Sequence, residues 1–185
     1  MPILAPETSI YPERLLDESG HPSDEQKWWA IHTKPRQEKS LARDLLQQEI
    51  PFYLPLVAKN RLVRGRKVQS RIPLFTSYVF LFGSGDQRVE SLKTNRIAYT
   101  LEVTDGEQLR KDLCQVQQLI ELDAPLTVEA RLTPGRRVRI QGGSMAGLEG
   151  TILVRRRHTR LVVAVDFLQQ GISVEIDDFL VEPID

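Results

Sequence analysis

The chain has 185 residues, 41% hydrophobic and 27% charged, with 25 Lys plus Arg, 25 Asp plus Glu and one cysteine. That is room for one large domain or two small ones, and the composition excludes collagen-like, mucin-like, coiled-coil and wholly disordered classes. No run reaches the roughly 20 apolar residues of a membrane helix. The acidic, proline-containing N-terminus is unlike a secretory signal. The lone Cys114 excludes an internal disulfide and a cysteine metal cluster, so a reducing cytoplasmic setting is expected, with no membrane partner.

Zero net charge conceals an asymmetry. Residues 1–27 carry 2 bases and 6 acids, residues 28–82 carry 10 and 3, residues 83–124 carry 5 and 8, and residues 125–185 carry 8 and 8. A basic segment inside a neutral chain suggests one face made for a polyanion; a solvated surface balanced elsewhere explains the charge equally well.

Residues 1–27 hold Pro2, Pro6, Pro12 and Pro22 and read as a mobile acidic tail. Order is expected from Trp28. Trp28–Thr33 is aromatic and β-branched, hence a strand. Pro35 suits a helix start. Leu41/Leu45 and Ala42/Leu46 then give one apolar stripe on a helix over 35–48, whose other side carries Arg36, Lys39 and Arg43. Phe52–Val57 reads as a strand that Pro55 confines to an edge or bulge. Lys59–Val68 forms two polar arms around Arg64-Gly65, a hairpin tip with a basic surface. Tyr78–Phe82 is continuously apolar, as in a central strand. Asp86 would cap a helix over 87–93, a strand follows over 97–103, and Leu109, Leu113, Val116 and Ile120 mark a helix over 105–122.

A linker is expected over 125–133. Beyond it, Val138–Ile140, Thr151–Val154, Leu161–Val165, Ser173–Ile176 and Leu180–Glu182 make five short strands at the spacing of a small closed barrel.

Two segments together resemble the NusG family of transcription elongation factors, which includes specialised paralogues such as RfaH. The first runs from Trp28-Trp29-Ala30-Ile31-His32-Thr33-Lys34-Pro35-Arg36-Gln37-Glu38 through Tyr53-Leu54-Pro55 and the Arg64-Gly65-Arg66 tip to Phe75-Thr76-Ser77-Tyr78-Val79-Phe80. The second, Pro134–Ile140 followed by Gly143-Ser144-Met145-Ala146-Gly147-Leu148-Glu149-Gly150, looks like a KOW motif. The resemblance covers residues 28–184. It implies an α+β protein: an N-terminal α/β sandwich with an antiparallel sheet over 28–124, and a C-terminal SH3-like β-barrel over 134–185.

The resemblance also implies functions. The N-terminal domain would grip the RNA polymerase clamp through a pocket of Leu54, Pro55, Phe75 and Tyr78; membership of the domain core is the competing reading of Phe75 and Tyr78. Lys34, Arg36, Gln37, Arg64 and Arg66 would meet nucleic acid, the first three at the non-template DNA strand. The KOW loop of Gly143, Met145 and Gly147 would meet a small-subunit ribosomal protein or the Rho termination factor, with Met145 where the family usually has Phe. The implied protein is a monomeric elongation or antitermination factor without cofactor. Arg88-Val89-Glu90-Ser91 stands where RfaH has a polar His-Thr-Thr stretch, which weakens any RfaH-like recruitment to one DNA element. The family's Phe-Pro-Gly-Tyr turn is here Phe75-Thr76-Ser77-Tyr78, which puts the tip geometry in question.

An alternative is a ribosome- or RNA-binding KOW protein with no polymerase contact, kept open by Arg155-Arg156-Arg157 and Arg160. Enzyme readings find no support. His21, His32 and His158 lack metal-ligand spacing, no Gly-Lys-Ser/Thr phosphate loop occurs, Asp177-Asp178 reads as a solvated turn, and Cys114 as a core residue. RfaH hides its pocket under a helical form of its C-terminal domain. The Val/Ile-rich C-terminal segment here favours strands instead.

Overall fold

The structure, a computed structural model, describes residues 6–17, 24–176 and 181–184. His21, Asp177, Asp178 and Leu180, named above, lie outside the described residues. The chain divides between Gly106 and Glu107 into two compact units.

The first unit is built on a five-stranded antiparallel sheet ordered β1-β3-β6-β2-β7. Its strands are β1 (Ile10–Tyr11), β2 (Lys27–Thr33), β3 (Phe52–Tyr53), β6 (Tyr78–Gly83) and β7 (Ile97–Glu102). β6 is central, as its apolar run requires. Strand alternation sends Trp29, Ile31, Phe52, Val79 and Leu81 to one face. There they meet Leu41, Ala42 and Leu45 of α1 (Glu38–Gln47) in one buried cluster. Each such leucine contributes about 1.5–3 kcal/mol by leaving water. The first turn expected of α1 is absent: Arg36 stands at φ 60 and the helix begins only after Gln37. α2 (Gly85–Leu92) is capped by Ser84, not Asp86. Ser84 Oγ accepts the Gln87 N–H at 3.3 Å and Gln87 Oε1 accepts the Ser84 N–H at 3.0 Å, a reciprocal box that Asp86, two positions later, cannot close.

β4 (Leu56–Val63) and β5 (Arg66–Pro73) form a separate two-stranded hairpin. Arg64 at φ 50 and Gly65 at φ 77 turn it, the two positive dihedrals of a type I′ turn.

The tail expectation is corrected within the described residues. Ile10 and Tyr11 pair with Tyr53 and Phe52 as the sheet's edge strand, and Leu16 is buried. Leu54 N–H donates to the Ser9 carbonyl at 2.6 Å, and Arg43 holds the Glu7 carboxylate through two bonds of 2.7 and 3.2 Å. Apolar side chains spaced among the acids, Ile10, Tyr11 and Leu16, are what the average composition concealed.

The second unit contains α3 (Gly106–Glu121) from Glu107 onward, a helix that the sequence reading assigned to the first domain. Its sheet is six-stranded and antiparallel, ordered β13-β9-β10-β11-β12-β8. The strands are β8 (Leu126–Glu129), β9 (Arg137–Ile140), β10 (Glu149–Arg155), β11 (His158–Val165), β12 (Gln170–Glu175) and β13 (Val181–Pro183). Two expectations change. The segment read as a linker contains β8, which pairs with β12. The sheet is open rather than a closed barrel, with β13 and β8 as its edges. Cys114, read as core, is half-buried, with an Arg110 Nη1–Sγ contact of 3.7 Å, while Asp112 and Leu119 join Leu109, Leu113 and Val116 on the buried side of α3. Asp112 Oδ2 accepts the Asp166 N–H at 3.0 Å and Gln115 Oε1 accepts the Glu149 N–H at 2.6 Å. A buried carboxylate is tolerated where it receives such bonds.

Candidate partner and nucleic-acid interface

Of the residues expected to line a pocket, Leu54, Pro55 and Phe75 are buried and Tyr78 is half-buried. For Phe75 the burial matches the core reading that stood beside the pocket. Leu54 belongs to the α1-side cluster, and Phe75, 1% exposed, meets Phe80 edge-on at 6.3 Å.

Tyr78 acquires other partners. The register places His32 of β2 between Tyr78 of β6 and Tyr99 of β7. The His32 ring stacks on Tyr99 at 4.5 Å and 6°, and meets Tyr78 edge-on at 5.1 Å. Tyr99 is 48% exposed and Leu101, two positions along on the same face, 39%. Burial, the nearby Tyr99 and a hydrogen bond to its side chain hold the Tyr78 hydroxyl above the ordinary tyrosine range. A phenol kept neutral beside two further rings makes an amphipathic contact surface. Sequence reasoning missed His32 and Tyr99. Alternation gives the face of each, but only strand order makes them neighbours.

The turn ahead of Tyr78 is closed by its own hydrogen bonds without Pro-Gly. Tyr78 N–H donates to the Phe75 carbonyl at 3.2 Å and Ser77 adopts φ 64. Buried Glu38 accepts the Ser77 N–H at 2.7 Å, while the Ser77 carbonyl accepts the Thr33 N–H at 2.8 Å.

The basic residues divide into held and free. Lys34 Nζ donates to both the carbonyl and Oδ1 of Asn95 at 2.8 Å. Gln37 Oε1 accepts from Arg96 Nη1 at 2.7 Å, and Arg96 Nε donates to Asp44 Oδ2 at 2.5 Å. Arg96 thus joins Lys34 and Gln37, which sequence alone did not reveal. Arg36 is exposed and unpaired among the described residues. Arg64 and Arg66 stand exposed at the hairpin tip with Lys59, Arg61, Lys67 and Arg71 along the arms. Leu62 is 74% exposed there. Register puts Arg61, Val63, Arg66 and Val68 on one hairpin face, cations alternating with apolar groups.

In the second unit Gly143 at φ 78 and Gly147 at φ 87 shape the loop that carries half-buried Met145. Gly147 N–H donates to the Ile140 carbonyl at 2.9 Å, Leu148 is fully buried, and Gln118 Nε2 donates to the Ala146 carbonyl at 3.3 Å. Among the described residues no group of three or more His, Cys, Asp or Glu is placed to hold a metal ion, and no helix is long and apolar enough to cross a membrane.

The fold and site define an antiparallel α/β domain bearing an aromatic row and a long basic hairpin, continued by a small β unit. Residues 26–117 match the family described as NusG, transcription termination factor nusG, and the chain belongs to the NusG family. That membership suggests a role in transcription elongation. No curated protein matches the chain. A solved structure titled "Crystal Structure of MjSpt4:Spt5 complex conformation B" is similar at 15% identity over 85% of this chain and 97% of that chain, with a TM-score of 0.26. The assignment rests on the match over 26–117.

Proposed function

We propose that the chain is a non-enzymatic elongation or antitermination factor that binds RNA polymerase through the edge of its first sheet and lays its basic hairpin along nucleic acid. The observation that carries this reading is the row Tyr78–His32–Tyr99, three rings on adjacent strands with Tyr99 and Leu101 open to solvent. Rigid aromatics give large contact area at small entropic cost, which is how a few residues come to dominate an interface. Tyr78 is the member retained from the pocket that the family resemblance implied.

The exposed cations supply the second contact. Arg36, Arg64 and Arg66 are free to meet phosphates, and each phosphate neutralised releases counterions, so affinity falls with salt. Lys34 and Gln37 act there by fixing the loop from which Arg36 projects. Binding that favours the processive polymerase over the paused one would shift the population toward elongation. The Gly143–Gly147 loop, with Met145 as an adaptable thioether contact, serves a second protein partner: a ribosomal protein of the small subunit or Rho.

The test is binding of the full chain to core RNA polymerase, with Tyr78→Ala and Tyr99→Ala alongside and folding checked by circular dichroism. The parent binds; each folded variant loses affinity, Tyr78→Ala by tenfold or more, as expected of a buried interface aromatic. A parent chain that does not bind polymerase overturns the reading.

A further inference from the structure

The hairpin of β10 and β11 in the second unit makes its turn with Arg156 at φ 50 and Arg157 at φ 68, between the paired residues Arg155 and His158. Both central residues lie in the left-handed region, for which Asn-Gly is the favoured pair. The β4–β5 hairpin bends in the same way with Gly65 at its second position. Arginine at both positions is a choice that the turn does not require. Such local strain is a pointer to function when the side chains concerned share a chemistry.

They do. Arg155 Nη2 pairs with Glu129 Oε2 at 3.3 Å, and His158 Nδ1 lies 2.8 Å from Glu175 Oε1. Arg160 donates to Ser173 Oγ at 2.9 Å, to the Ser173 carbonyl at 3.0 Å and to Thr127 Oγ1 at 3.1 Å. Arg156 and Arg157, both exposed, have no partner among the described residues. Thr127, Arg155, Arg156, His158, Arg160 and Glu175 line a cleft of about 200 Å³. The held Arg155 and Arg160 thus share the cleft lining with the free Arg156, and Arg157 follows it in the turn. Val154, 68% exposed, stands beside them on β10.

Glu129 and Glu175 disfavour a compact multivalent anion deep in this cleft. An extended polyanion that lies along the exposed turn arginines Arg156 and Arg157 avoids them. Arginine suits phosphate by its planar fork of donors, and it stacks on bases. We propose that the β10–β11 hairpin is a second nucleic-acid contact, binding the phosphodiester backbone of a single strand without reading sequence. It is independent of the polymerase-binding reading, because it resides on other residues of another unit.

The experiment measures binding of the full chain to single-stranded RNA and DNA oligonucleotides of one sequence, across a salt series. Arg61→Gln, Arg66→Gln and Lys67→Gln are present throughout, so that the first hairpin does not mask the second. Into this background go Arg156→Asn and Arg157→Gly together, which remove both charges while installing the pair that the turn prefers. The slope of log affinity against log salt is expected to fall in magnitude by about 1.4, two phosphates at the single-strand value, and affinity at low salt by about fivefold or more. Equal loss with RNA and DNA assigns the backbone; loss with RNA alone assigns a ribose hydroxyl as well. Unchanged affinity and slope, in a variant at least as stable as its parent, overturn the proposal. So does polyglutamate of matched charge binding as tightly as RNA, which would assign the hairpin to an acidic protein surface.

Discussion

The buried carboxylate of Glu38 accepts the backbone N–H of Ser77 at 2.7 Å, joining the first turn of α1 to the turn that delivers Tyr78. Ser77 sits at φ 64, where a side chain is disfavoured, and Glu38 replaces the rigidity that a Pro-Gly turn would carry in its own backbone.

This link has a measurable strength. Glu38→Ala leaves the Ser77 N–H without its acceptor and is expected to cost about 1.5–3 kcal/mol, the range for a hydrogen bond to a charged group. Ser77→Gly relieves the left-handed backbone and is expected to be neutral or stabilising by up to about 1 kcal/mol. Urea denaturation of the two variants reads both signs; equal destabilisation by the two would contradict the account.

The N-terminal strand is expected to loosen in acid. Its hydrogen bond from Arg43 holds the Glu7 carboxylate below its ordinary value of 4.5, against a smaller opposing effect of burial. A carboxylate with a lowered folded-state value stabilises the fold above the unfolded value and loses that contribution as pH falls through the folded one. The window therefore opens below about pH 4.5 and not near neutrality. Amide exchange at Leu54, whose N–H bonds Ser9, should be faster in Glu7→Gln than in the parent at pH 6, and the difference should vanish in stronger acid. A difference that persists at low pH would remove Glu7 from the account.

Gly150 marks where the second sheet tolerates no side chain. A Cβ there would fall inside contact distance of the Val162 carbonyl oxygen, a backbone atom that cannot turn aside. Gly150→Ala is expected to cost about 1–3 kcal/mol by overpacking. Gly142→Ala, where a Cβ meets nothing within 4 Å, is its control. Thermal unfolding should separate the two by several degrees.

Much of the local structure was legible along the chain. Aromatic and β-branched content marked Trp28–Thr33, a continuous apolar run marked Tyr78–Phe82, helical spacing marked Leu41 and Leu45, and Arg64-Gly65 announced a hairpin whose cations could only face water. These features depend on neighbours in sequence, so a single chain reveals them. The loop glycines Gly143 and Gly147 stand at positive φ, a backbone that glycine enters at little cost. Tertiary structure decided what depends on strand order and burial. It placed Tyr99 beside His32, buried Leu54 and Phe75, tied Lys34 to Asn95, and attached Ile10 and Tyr11, read from composition as part of a mobile tail, to a sheet edge. The physical reason is one of range. Period and turn chemistry act over a few residues, whereas pairing across a sheet joins residues tens of positions apart and follows from the free energy of the whole packed unit.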